Sequence, residues 1–220
     1  MKKFLLAAMV LMASAVANAQ NEVGQISVAP VVGINLSDVT KYEGSKMKFG
    51  IAAGAVAEYG VSEKFGVSLG LIYSQQGCKV KGVGYDGGGD DYYDYYDYYD
   101  YDYGYIAYEE VYVAGGKEKL KLDYLNIPIL AQYYIFDGFA IKAGVQPSVL
   151  LSAKYGSHSI KDDCNKFAVD IPVGLSYEYK NIVLDARYNI GLTKIQKKNA
   201  GNKKSNNSVF EFTLGYKFKI

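Results

Sequence analysis

The chain has 220 residues, with 24 lysines and arginines against 23 aspartates and glutamates, for a formal net charge of +1. A balance so close to neutral points to no nucleic-acid partner. Half of the residues are hydrophobic, yet no segment beyond the N-terminus is long and apolar enough for a transmembrane helix.

Lys2 and Lys3 precede an apolar run from Phe4 to about Val16, followed by Ala17-Asn18-Ala19. A charged start, a short apolar core and small residues at the minus-three and minus-one positions predict a secretory signal peptide over residues 1–19, cleaved before Gln20. About a dozen apolar residues fall well short of the ~20 that a membrane anchor needs. No cysteine follows the small residues, which disfavours a lipoprotein. Residues 20–220 then suit one domain.

Across that domain apolar and polar residues alternate with period two, the pattern of strands whose side chains point to opposite faces. The first predicted strand sets Ile26, Val28, Pro30, Val32, Ile34 and Leu36 against Ser27, Ala29, Val31, Gly33 and Asn35. The second and third run over 47–59 and 65–74, the fourth over 124–133 and the fifth over 139–152. The sixth and seventh cover 167–179 and 182–192. In the eighth, Phe210, Phe212, Leu214, Tyr216, Phe218 and Ile220 oppose Glu211, Thr213, Gly215, Lys217 and Lys219.

A soluble sandwich or lipocalin-like barrel alternates as well. Here the polar face is rich in glycine, serine and charges of both signs, as a narrow barrel interior requires. The connections alternate between short turns (60–64, 137–138, 180–181) and long links (37–46, 79–119, 154–165, 194–207). Aromatic residues gather beside the short turns, as at a membrane interface. These features predict an all-β fold: an eight-stranded antiparallel transmembrane β-barrel, an up-and-down meander with long extracellular loops. Pro30, Pro128, Pro147 and Pro172 fall inside predicted strands, where each removes a ladder donor and predicts a bulge or bend.

Eight strands enclose a space that side chains fill. The predicted lumen carries Glu58, Lys142, Asp170, Asp185, Arg187 and Glu211, with Lys48, Lys166 and Glu178 also inward. This reads as an ion-pair network in a dry interior, since an unpaired charge there is costly; a proton or ion path is the functional alternative.

The second outer loop, residues 80–118, is the most individual stretch. It contains Asp91-Tyr92-Tyr93, Asp94-Tyr95-Tyr96 and Asp97-Tyr98-Tyr99, and nine acids with no base lie between Tyr85 and Glu110. Such a tract is either low-complexity surface chain or a recognition loop in which tyrosines supply amphipathic contacts. Its carboxylates are hard-cation ligands in kind but show no defined ligand spacing. Lys194, Lys197, Lys198, Lys203 and Lys204 give the fourth loop the opposite charge, which predicts an approach of the two loops.

Cys78 and Cys164 are the only cysteines, and an even count in an exported protein favours a disulfide between them. Two free thiols are the alternative, because the third and sixth strands are not neighbours. His158 is the only histidine, between Ser157 and Ser159 and near Asp162 and Asp163. An exposed polar loop without an orienting framework is no catalytic site. No enzyme activity, cofactor or metal is expected.

Several segments resemble the PorT-like outer-membrane beta-barrel proteins. Gly33-Ile34-Asn35-Leu36-Ser37 resembles that family's first-strand G-x-N-x-S. Tyr124-Leu125-Asn126-Ile127-Pro128-Ile129-Leu130 resembles its Y-L-x-I-P-L-L segment. Gly144 through Lys154, and Leu184-Asp185-Ala186-Arg187-Tyr188-Asn189-Ile190-Gly191-Leu192-Thr193, resemble its later strands, in the same order. The tyrosine–aspartate insertion after Lys79 departs from the family. Thr213, Gly215, Phe218 and Ile220 resemble the C-terminal signal read by the barrel assembly machinery. The resemblance implies fold and location: a porin-like barrel in the Gram-negative outer membrane, surrounded by its lipid; a monomer is expected.

The expected function is non-enzymatic, structural or surface-binding work through the acidic tyrosine-rich loop, with a protein partner at the cell surface. Narrow or gated porin-like transport of small solutes, or a place as accessory subunit of a secretion complex, is the alternative.

Overall fold

The computed structural model describes residues 23–40, 45–81, 117–197 and 205–220. The expected signal peptide, nearly all of the tyrosine–aspartate loop, including Tyr92 to Tyr99, and Lys198, Lys203 and Lys204 lie outside the described residues.

The strands are β1 (Ile26–Val39), β2 (Ser45–Ser62), β3 (Phe65–Lys81), β4 (Lys117–Asn126), β5 (Ile129–Phe136) and β6 (Phe139–Tyr155). A two-residue β7 (His158–Ser159) and a 3-10 turn η1 (Lys161–Asp163) follow. Then come β8 (Phe167–Tyr179), β9 (Ile182–Lys194), β10 (Asn206–Tyr216) and β11 (Phe218–Lys219). β5 continues β4 and β11 continues β10, so the wall has eight antiparallel staves in the order β10-β9-β8-β6-β4-β3-β2-β1. It closes where β1 pairs β10 from Val31↔Gly215 to Val39↔Asn207, and β11 at Ser27↔Lys219 and Val28↔Phe218.

The alternation read from the sequence selects the faces. On β10, Phe210, Phe212 and Leu214 are 41%, 44% and 48% exposed, while Glu211 between them is fully buried. The same inversion, apolar outside and polar inside, runs round the wall. Ile34, Ile51, Leu71, Ile141, Leu175 and Leu184 face outward, whereas Asn35, Ser74, Gln146 and Asn189 are buried. An apolar outer band is what a hydrocarbon environment demands of a closed barrel. Beside the short turns the outward residues turn aromatic: Tyr59, Phe65, Tyr133, Phe136, Tyr179, Tyr216 and Phe218.

β2, β3 and β6 contain 18, 17 and 17 residues, against the ~9–11 that cross a bilayer. The surplus lies beyond the predicted long-link ends, so those connections are shorter than their sequence spans suggest: β1 and β2 reach to Val39 and from Ser45.

All four prolines coincide with interruptions of the ladder. Pro30 faces the break between β10 and β11, where the backbone N–H of Lys217 turns away and bonds the carbonyl of Asn181 at 2.7 Å. Pro128 separates β4 from β5, and Pro147 lies beside that gap, its carbonyl accepting from Ile127 N–H at 2.9 Å. Pro172 lies in the stretch where β6 and β8 lose pairing between Ala143↔Val173 and Gln146↔Asp170. The register on either side of that last gap is the same, so it is a lapse in bonding and not a bulge.

Gly33 lies on the inward face of β1, at the closing seam. A Cβ there would collide with the carbonyl oxygen of Phe212 and the Cα of Thr213 on β10, backbone atoms that cannot yield without opening the seam. Gly33→Val is expected to abolish the compact, SDS-resistant form seen on unheated gels. Ile34→Val, one residue along on the outward face, is expected to keep it.

Candidate functional site

The lumen is filled in layers, and the layers decide what the barrel can do. At the turn-side end, the Nζ of Lys217 contacts Glu178 at 2.5 Å and Glu58 at 3.0 Å. Tyr134 donates its hydroxyl to Glu58 at 2.6 Å. A second chain of pairs crosses the wall: Lys142 to Asp185 at 2.8 Å, Asp185 to Arg187 at 2.7 Å, and Arg187 to Glu211 at 2.5 Å. The register produces this chain, because Glu211 pairs Arg187 across β10 and β9, and Gly174 opposite Arg187 leaves room for its side chain. A cavity of about 40 Å³ between the two groups is lined by Glu58, Lys142, Asp185, Arg187 and Lys217. That is room for a few waters and not for a continuous aqueous path.

Above the ions lies a belt of buried amides and hydroxyls. Asn35 donates to Ser74 at 2.8 Å, Gln76 donates to Ser74 at 3.0 Å, and Asn207 donates to Gln76 at 2.6 Å. Gln146 donates to Asp170 at 3.1 Å. Lys48 donates to the carbonyl of Gln76 at 2.8 Å.

The outer end is closed by an apolar plug. Val39, Cys78, Leu122, Tyr124, Leu150, Ala153, Ile160, Cys164 and Ile195 form one buried cluster. Ile160 and Cys164 bracket η1, so the third outer connection folds inward over the mouth. It is held to the start of the fourth: Asn165 donates to the carbonyls of Lys194 at 2.8 Å and Gln196 at 3.0 Å, and Lys197 donates to the carbonyl of Asp162. The described part of the lysine-bearing loop therefore contacts the third connection. Its expected approach to the tyrosine tract lies outside the described residues.

Of the six lumen residues chosen from the sequence, the structure brings Glu58, Lys142, Asp185, Arg187 and Glu211 into ion pairs. Asp170 is buried but bonded to Gln146 instead. Lys166 is exposed, a correction to its inward placement: its carbonyl still accepts from Leu150 N–H at 2.8 Å, but it precedes β8 and its side chain reaches solvent beyond the strand's start. Lys217 is the hub of the turn-side group, and Tyr134 supports it. Tyr134 continues the inward parity of Leu130 and Gln132, a signal that stopping the strand at Tyr133 conceals. Thr213 is buried, while Phe218 and Ile220 point outward.

The expected Cys78–Cys164 disulfide is not formed: both are free thiols. Neither lies on an open loop margin, since they are 0% and 1% exposed. Cys78 belongs to β3 and Cys164 immediately precedes β8, with the β4 and β6 staves between them. Cys78 pairs Met47 and Leu120 and Cys164 pairs Gln196, so no ladder sets the two opposite each other as a disulfide would favour. They share the plug without bonding. His158 is exposed on the β7 hairpin. Among the described residues no group of three or more His, Cys, Asp and Glu is arranged for a metal ion.

Removing Arg187 alone leaves Glu211 buried without its cation, a loss of about 3–5 kcal/mol for such pairs. Arg187→Met is expected to lower the thermal unfolding midpoint by roughly 6 °C or more. The double variant Arg187→Met/Glu211→Leu is expected to unfold closer to wild type than either single variant.

Burial pushes the Cys164 thiol from about 9 up to about 11. The folded protein therefore holds this proton more tightly than the unfolded chain, and the thiol's contribution to stability is lost as pH rises from about 9 to about 11. In Cys78→Ser protein, Cys164 is expected to resist maleimide at pH 8 and to react fully once the barrel is heat-unfolded. Rapid labelling of the folded form would contradict the plug.

The chain is similar to several solved structures. The Yersinia pestis attachment invasion locus protein Ail, solved with the heparin analogue sucrose octasulfate, is 16% identical, covering 90% of this chain and 100% of its own, with a TM-score of 0.50. Neisserial surface protein A is 12% identical over 88% of this chain and 97% of its own, with a TM-score of 0.48. OprG of Pseudomonas aeruginosa is 15% identical over 92% and 99%, with a TM-score of 0.48. No curated protein matches in sequence. The family described as outer membrane protein beta-barrel domain matches residues 18–197. With more than half of its length matched and its wall closed into a ring of eight staves, the chain belongs to the outer membrane protein beta-barrel domain family.

Proposed function

We propose that this protein is a non-conducting outer-membrane anchor that presents the acidic, tyrosine-rich segment as a binding loop at the cell surface. The observation that carries the reading is the filled lumen: ion pairs in one half and an apolar plug across the outer mouth. A solute path would have to break both. What remains for recognition is the outer rim, and the insertion between β3 and β4 leaves from the same end of the barrel as the plug's η1 connection. Motif likeness to the PorT-like barrels supports a place in that group. The leader-like residues 1–19 support export through a cleaved signal peptide.

The loop's chemistry narrows its partner. With nine acids and no base between Tyr85 and Glu110, it favours a basic protein surface, its tyrosines supplying rigid contact area. Ail was solved with a polyanion; the acidic tract here favours the opposite charge.

In planar bilayers the purified protein is expected to give no stable unitary currents. Crosslinking in intact cells is expected to yield adducts that disappear when residues 86–110 are deleted, with the SDS-resistant barrel retained. Stable currents would sink the non-conducting reading, and adducts indifferent to the deletion would sink the loop's role.

A further inference from the structure

One buried carboxylate stands outside the ion pairs. Asp170 is 7% exposed, and among the described residues no lysine or arginine forms a salt bridge with it. Among the described residues the hydrogen-bond donor to its side chain is Gln146, at 3.1 Å to Oδ2. Glu211, the other carboxylate at this depth, is taken up by Arg187. A buried carboxylate without a counter-charge costs several kcal/mol, so Asp170 requires either a proton or a cation.

Its surroundings are those of a cation site. A cavity of about 10 Å³ is bordered by Asp170, Ser148, Asn207, Gln76, Tyr124 and Ile195. That is about the room of one water-sized particle. Ser148 Oγ and Asn207 Oδ1 are buried and have no hydrogen-bond partner among the described residues. Asn207 is held in that orientation because its amide nitrogen donates to Gln76 Oε1 at 2.6 Å. Tyr124 and Ile195 belong to the apolar plug and close the cavity toward the outside. Lys194 also borders it and is exposed.

We propose that Asp170, Ser148 and Asn207 hold a single monovalent alkali cation beneath the plug. The donors are all oxygens, which suit a hard cation. One carboxylate balances one positive charge. A divalent ion would leave one positive charge uncompensated among these buried groups, which is costly. This site is independent of what the outer loop binds.

The test is thermal unfolding of the full barrel in zwitterionic micelles, read by loss of the SDS-resistant band. Choline chloride is exchanged for lithium, sodium or potassium chloride at constant ionic strength. At least one alkali cation is expected to raise the midpoint by roughly 4 °C or more, saturably. Asp170→Asn, which has the shape of the protonated acid, is expected to lose this response, and Asp137→Asn in the exposed short turn between β5 and β6 to keep it. Ser148→Ala retains the charge and removes one ligand, and is expected to need severalfold more cation for half the effect. The proposal is overturned if wild type unfolds alike in choline and all three alkali salts, the outcome of a neutral, protonated Asp170. It is equally overturned if Asp170→Asn responds as wild type does. Should Asp170→Asn fail to fold, an unchanged cation requirement in Ser148→Ala overturns it.

Discussion

In hydrocarbon no water is present to satisfy a free N–H or C=O, so a sheet that crosses a membrane must have no edge. The pairing of β1 with β10 and β11 meets this constraint, and everything else in the molecule depends on it. Closure fixes which face of each strand is inside. Once Phe212 and Leu214 face lipid, Glu211 and Thr213 have nowhere to go but the lumen. The charges inside the barrel are thus a consequence of its exterior being apolar, and the ion pairs are what makes that consequence tolerable. The prolines fall where the ladder is interrupted, and the seam's own interruption at Lys217 is tied off by Asn181.

The interior is graded along the barrel axis. Ion pairs occupy the half nearest the short turns, amides and hydroxyls with Lys48 and Asp170 among them the middle, and aliphatic, aromatic and thiol groups the outer mouth. These contents fill the described lumen, and a barrel of eight staves encloses about the space that side chains can fill.

Much of this was legible because period two is a strong signal when repeated in every strand. Parity alone assigned Glu58, Lys142, Asp170, Asp185, Arg187 and Glu211 to the inside. What parity cannot supply is register. That Arg187 meets Glu211 while Asp170 meets only Gln146 depends on strand offsets set by closure. The plug was harder to see for a different reason. Ile160, Cys164 and Ile195 lie in connections, where no periodicity marks the direction of a side chain, and their inward fold appears only in three dimensions. A clue was available in Leu122 and Leu150, apolar residues on inward parity near the outer ends of their strands. The cysteines were placed correctly at the outer end of the chain's path, but an even count says nothing about how many staves separate two thiols.

The plug's membership has a bearing on how the barrel comes apart. Val39 ends β1 and Ile195 follows β9, so this one cluster gathers groups from both sides of β10, the strand that completes the ring. The contacts that join those two sides need a closed ring, whereas Cys78, Leu122, Tyr124, Leu150 and Ala153 lie on the adjacent staves β3, β4 and β6 and can pack as soon as those staves pair. Interactions made only after the rate-limiting step slow unfolding without hastening folding. The part of the cluster that spans β10 is in this sense a latch, able to engage only once the ring is closed.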